Sequence, residues 1–252
     1  MRAPRLGRPC LAVGLIGCGV FCLASGTFAL DLQPVPAWVP GRTVLAYVTA
    51  LVEVALGAGL LTTRTRGPAS RGVFGLLLAW CLLLEVPQVL AEPLVEMNWL
   101  ALGQLAAMVA AGWVLLDAAR GRGPATVRGP QLLLGLGLIP IGLSHFSYLQ
   151  TAVGMVPGWL PCHTAWAVLA GAGHIAAGLG LLAGVLPRLA AAMEAGMITA
   201  FTLLVWLPGV VASPASRSEW SELLASWIIG AAVWVVADSF GGRLPPSPYR
   251  PR

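Results

Sequence analysis

Two side chains stand out for the chemistry they could do. Glu53 lies in the middle of one long apolar run, and His174 lies in the middle of another, 121 residues further on. An ionisable group placed in hydrocarbon costs several kcal/mol unless it is paired, so such residues mark functional sites by default. Each lies about eleven residues from the outer end of its run, which at 1.5 Å per residue is roughly 16 Å, close to a bilayer midplane. If the faces that carry them meet, the carboxylate and the imidazole could share a proton, as a proton relay or a polar ligand pocket requires. The alternative is two separate buried residues, each hydrogen-bonded inside its own bundle. Sequence leaves both open.

The remaining chemistry-bearing residues are fewer than a catalytic site needs. His145, in Ser144-His145-Phe146-Ser147-Tyr148, is expected in the outer third of its run, some 7 Å below the edge at the helical rise. His163 follows Pro161 and Cys162 at the outer mouth of the next run, where headgroup contacts suit it. These depths match no pair of histidines, which argues against a haem held by two of them. A metal at His145, His163 and Cys162 is not required by their spacing, so no metal ligand is assigned. Glu85 precedes Pro87 by two residues and is aimed either at the carbonyl that the proline frees or at the outer interface. Glu194, near Arg188, reads as an interfacial residue. The five cysteines, Cys10, Cys18, Cys22, Cys81 and Cys162, form no C-x-x-C pair and read as buried, inert thiols. No nucleophile, base and orienting group form a set, so no catalytic residue is assigned.

The elements that must position these groups follow from composition. The 252 residues are 58% hydrophobic and only 10% charged, far below the roughly 25% charged residues of soluble domains. Mean hydropathy is +0.82. Such a chain needs a lipid bilayer as its solvent. The net charge of +5 comes from arginines in short loops and tails, which excludes a nucleic-acid surface. Eight apolar stretches, near 10–30, 43–63, 72–91, 98–117, 131–150, 163–184, 188–211 and 220–240, are long enough to cross as helices. Thirteen of the fifteen arginines then fall on one side, leaving Arg42 and Arg217 on the other. By the positive-inside rule both termini are cytoplasmic. The lipoprotein-like Leu15-Ile16-Gly17-Cys18 is kept inside the first span, because cleavage there would strand a three-helix half.

The chain also repeats itself. From Pro36 to Asp117, 26 of 82 positions are identical at the single offset of 121 residues. A repeat at fixed period sets the architecture. The expected fold is all-α: a polytopic membrane protein of eight transmembrane helices, built as two parallel four-helix repeats. The first covers 9–118 and the second 131–241, joined by an Arg/Gly/Pro linker at 119–130 and followed by a tail at 242–252. Pro87 recurs as Pro208, Asp117 as Asp238, Trp38 as Trp159 and Trp99 as Trp220. Recurrence gives these residues structural roles: helix breaks for the prolines, pairing with linker arginines for the aspartates, interfacial anchoring for the tryptophans. Gly57, Gly59, Gly178 and Gly180 favour close helix packing, and the apolar loop 151–161 is expected to lie on the membrane surface as a roof.

The second repeat carries GLSHFSY at 142–148, VPGWLP at 156–161, GAGHIAAGLGLL at 171–182 and LVWLPGVV at 204–211. In these segments it resembles the DoxX-like membrane proteins, which are four-helix bundles. The first repeat matches more loosely, keeping the Pro-Trp-Pro loop, Glu53 and Pro87, but with Thr27 near the place of the histidine. The resemblance implies a tandem duplication in a bacterial cytoplasmic (inner) membrane, tied to a membrane redox enzyme as an accessory or assembly subunit. It further implies a quinone or another lipophile as ligand, and no independent catalytic activity. A proton-linked small-molecule transporter using Glu53 and His174, and a non-catalytic membrane scaffold, are the competing expectations.

Overall fold

A computed structural model describes residues 6–122 and 127–240. The termini, with Arg2, Arg5, Arg243, Arg250, Arg252 and the whole tail 242–252, and part of the 119–130 linker lie outside the described residues. Among the described residues, every regular element is a helix. Eight are long and apolar enough to cross a membrane: α1 (Gly7–Ser25), α2 (Arg42–Leu61), α3 (Arg66–Ala91), α4 (Glu96–Ala119), α5 (Arg128–Ser147), α7 (His163–Ala183), α8 (Pro187–Ala212) and α9 (Arg217–Ser239). A short helix, α6 (Leu149–Met155), interrupts the loop between α5 and α7. The number of spans agrees with the sequence expectation.

Two boundaries differ from it. The first span stops at Ser25 rather than near residue 30, because Gly26 turns left-handed (φ 65°) and donates its N–H back to the Cys22 carbonyl. The fifth stops at Ser147, where Tyr148 leaves the helical region. Both shifts matter for the polar groups discussed below.

The eight spans close a ring: α1 packs on α2, α2 on α3, α3 on α4, α4 on α5, α5 on α7, α7 on α8, α8 on α9, and α9 on α1. Across its middle, α4 packs on α9. Each four-helix unit is therefore completed by the last helix of the other, and the units share one core. Their sequences explain the central position. Both α4 and α9 are apolar round nearly the whole circumference and bury the longest lists of side chains, as a helix with no polar stripe must. Small residues set the closest approaches. A methyl group on Gly57 would lie 2.7 Å from the Ala12 carbonyl oxygen of α1, and one on Gly178 would lie 2.8 Å from the Gly135 carbonyl oxygen of α5. Gly103 of α4 and Gly137 of α5 face one another backbone to backbone. Without a hydrophobic force between helices in lipid, such contacts supply the packing attraction.

Two π-helical turns interrupt the long third helix of each unit, at Cys81–Glu85 and Thr202–Trp206. Each ends two residues before a proline, Pro87 or Pro208. Proline cannot donate to the carbonyl one turn back, and the wide turn moves the bonding register instead. Val86 donates to the Cys81 carbonyl and Leu207 to that of Thr202. The Gln88 side-chain amide caps the Leu84 carbonyl at 3.0 Å. Pro87 and Pro208 thus reshape their helices without breaking them.

The recurring aspartates and tryptophans also hold structural places. Asp117 pairs with linker Arg122 at 3.2 Å, and Asp238 accepts the backbone N–H of Gly7 at the start of α1 at 2.9 Å. Trp99 and Trp220 donate their indole N–H groups to the carbonyls of Pro93 and Pro214, at 2.9 and 3.0 Å. Trp38 and Trp159 stand exposed on the loops after α1 and α6.

The candidate buried polar sites

Glu53 and His174 do not pair with each other. α2 packs chiefly between α1 and α3, and α7 chiefly between α5 and α8, so the equivalent positions face separate interiors. Each finds partners in its own unit, and the two sets differ.

In the first unit, Glu53 is fully buried and accepts a hydrogen bond at Oε1 from the side-chain amide of Gln33. Gln33 comes from the loop between α1 and α2. Because α1 ends at Gly26, that loop turns inward and buries Phe28, Ala29, Leu32 and Gln33 as a plug. Arg42, the first residue of α2, ties the loop down by donating to the Val35 carbonyl at 3.1 Å and resting over the Phe28 ring at 5.5 Å. Cys18 and Cys22, one turn apart on the buried face of α1, complete the cluster. The Cys22 thiol donates to Gln33 Oε1 at 3.8 Å, and the two sulfurs and a Glu53 oxygen all lie within 4.8 Å of one another. Glu53 Oε2 accepts no hydrogen bond.

In the second unit, His174 is paired with Glu194 of α8, Nδ1 to Oε1 2.6 Å, and both are buried. Glu194 is therefore not interfacial. It lies seven residues inside α8, and with Ala191, Ala195 and Ile198 it forms the buried stripe of that helix. His145 joins the pair. Its ring lies 5.2 Å from the His174 ring, and Phe201 closes the group at 6.3 and 6.0 Å from the two histidines. The sequence expectation put His145 well above His174. The structure removes that difference: His145 packs on Gly171, near the level of His174, and its helix ends two residues later at Ser147. His145 Nδ1 is buried without a hydrogen-bond partner, while the residue as a whole is only half-buried.

The other sequence candidates stand apart. Glu85 sits in the π turn of α3, 3% exposed, with Oε2 accepting no hydrogen bond. It is buried rather than aimed at the interface. Cys162, exposed, and His163, at the first position of α7, lie three turns from His174 and outside both clusters. Among the described residues, Cys18, Cys22 and Glu53 form the one group of three metal-ligating side chains so closely spaced. The sequence reading missed this grouping, together with Glu194 and Gln33. The four-residue spacing of the two cysteines and the buried register of Glu194 were legible signals. Gln33 had none, since a loop plug leaves no periodicity.

The roofing loops also differ. In the second unit α6 buries none of its residues, whereas the first unit's loop fills the mouth above Glu53. The apolar loop expected to roof the second unit thus stays unburied along α6, whereas the first unit's loop buries Phe28, Ala29, Leu32 and Gln33.

Comparison of the chain with protein-family models, with curated proteins and with solved structures finds no match.

Proposed function

We propose that the protein is a DoxX-like, duplicated four-helix unit of a bacterial inner membrane, with both termini cytoplasmic, serving as an accessory or assembly subunit of a membrane redox system. It binds a quinone or a similar lipophile at His145, His174 and Glu194 and has no catalysis of its own. The observation that carries this reading is the half-buried His145, whose Nδ1 has no partner while it stands against a tightly bonded His174–Glu194 pair. A quinone carbonyl is an acceptor with no donor of its own, and an unpartnered imidazole N–H is a donor that can meet it when the ligand enters beside the half-buried ring. Glu194 fixes the His174 ring by holding its Nδ1, and Phe201 supplies an aromatic wall. Above this unit α6 buries none of its residues, and His145 itself is only half-buried.

A transporter using one proton shared between Glu53 and His174 is less well supported, because the two groups serve different neighbours. A scaffold role remains the competing outcome of the test. Equilibrium titration with a short-chain ubiquinone analogue in detergent should give saturable binding to the wild type. His145→Leu should weaken it tenfold or more, as loss of one buried hydrogen bond implies, and Glu53→Gln should leave it unchanged. No saturable binding, or binding indifferent to His145→Leu and His174→Leu, sinks the ligand reading in favour of a scaffold.

A further inference from the structure

The first unit offers a different chemistry from the second. From its geometry we propose that Cys18, Cys22 and Glu53 bind a zinc ion that pins α1 to α2 beneath the loop plug.

Three observations converge. Two thiols four residues apart on one helix and a carboxylate on its neighbour bring their ligand atoms within 4.8 Å of one another. Tetrahedral zinc, with bonds of about 2.3 Å to sulfur and 2.0–2.2 Å to oxygen, needs ligand atoms about 3.5–3.8 Å apart, so closure onto an ion asks for only small inward shifts. The second observation is Glu53 Oε2, an oxygen on a fully buried side chain that accepts no hydrogen bond. Glu85 Oε2 and Glu194 Oε2 share that state, but among these oxygens only that of Glu53 belongs to a carboxylate grouped with two thiols. Third, Oε1 of the same carboxylate is held by the Gln33 amide, as outer-shell groups orient metal ligands.

The donor set selects the metal class. Thiolate with carboxylate suits a borderline divalent ion, and an all-oxygen site for magnesium or calcium is excluded by the two sulfurs. Binding displaces the protons of both thiols and of the carboxylate if it carries one. The three ligands then carry −3, and the ion reduces this to −1, spread over three atoms and the Gln33 amide. Three protein ligands leave the fourth tetrahedral position to solvent, and Gln33 stays in the outer shell on Glu53 Oε1. Buried beneath the loop plug between two packed helices, such a site serves the fold. It also gives the i, i+4 cysteines a role that an inert apolar filling does not require.

The test uses the full chain in mild detergent with reductant, stripped by a chelator, incubated with Zn(II) and passed through a sizing column. The expected result is one zinc per chain, with affinity rising with pH because protons compete. Cys18→Ser with Cys22→Ser should abolish retention, Glu53→Gln should weaken it at least tenfold, and Cys162→Ser, at an exposed thiol outside the cluster, should retain one zinc. Because the cysteine variants could misfold, Co(II) is added to the unaltered protein as well. A thiolate-to-cobalt charge-transfer band is expected there, and it should persist in Cys162→Ser. A wild type that retains no zinc and shows no such band overturns the site, as does zinc retained undiminished in the double serine variant. Quinone titration of the same samples reads the second unit independently, so failure of either site leaves the other tested.

Discussion

Glu194 reaches His174 across the α7–α8 interface with 2.6 Å between Oε1 and Nδ1, both side chains being almost wholly withdrawn from their surroundings. A single proton serves this contact. Either the imidazole N–H donates to the carboxylate, or the carboxyl O–H donates to a neutral ring. In both cases removal of one partner strands a polar group in hydrocarbon.

Glu194→Ala is accordingly expected to destabilise the protein by about 3 kcal/mol, in the range for breaking a buried pair. His174→Ala should cost a similar amount, and the double substitution far less than the sum, because no group is then stranded. Unfolding titrations in mixed detergent micelles measure all three. Additive losses would show that the pair does not act as a unit.

Packing at the glycines predicts an opposite pair of effects. Gly57→Ala puts a methyl group 2.7 Å from a backbone oxygen that cannot step aside, and should cost about 1–3 kcal/mol. Gly75→Ala, in the middle of α3 with nothing within 4 Å, should gain about 0.5–1 kcal/mol from helix propensity alone. Thermal unfolding of the two variants beside the wild type decides this. A neutral Gly57→Ala would mean that α1 and α2 are less closely packed than described.

The proposed orientation can be read with the protein's own cysteines. Cys162 is exposed, whereas Cys18, Cys22 and Cys81 are buried. In intact cells a membrane-impermeant maleimide should label the wild type at Cys162 from outside. A cysteine placed at Gly121, added to Cys162→Ser, should react only after permeabilisation. Labelling in the reverse order would invert the topology.

Much of this architecture was legible in the residues. The eight spans follow from uninterrupted apolar length. The π turns fall at the recurring Pro87 and Pro208, and the indole bonds of Trp99 and Trp220 recur at the same offset. What was not legible is which helix each polar group faces. Depth along a helix places His145 only if its end is known, and Gly26 and Tyr148 end α1 and α5 earlier than hydropathy alone suggests. Residues 28–30 read as the end of a membrane span, yet they begin a loop that folds as a plug and delivers Gln33 to Glu53. Glu194 sits close enough to Arg188 in sequence to pass for surface, although two helical turns carry it into the core. The exchange by which α9 completes the first unit and α4 the second leaves no mark on local pattern, because both helices are apolar on every side.

Glu53 and His174 serve separate sites despite their equivalent positions. The direct measurement is a double-mutant cycle on stability with Glu53→Gln and His174→Ala, using His174→Ala with Glu194→Ala as the coupled reference. Two independent sites predict additivity within about 0.5 kcal/mol for the first cycle and a coupling above 1 kcal/mol, on the order of a shared buried contact, for the second. Strong coupling between Glu53 and His174 would contradict the division and restore a single shared pocket.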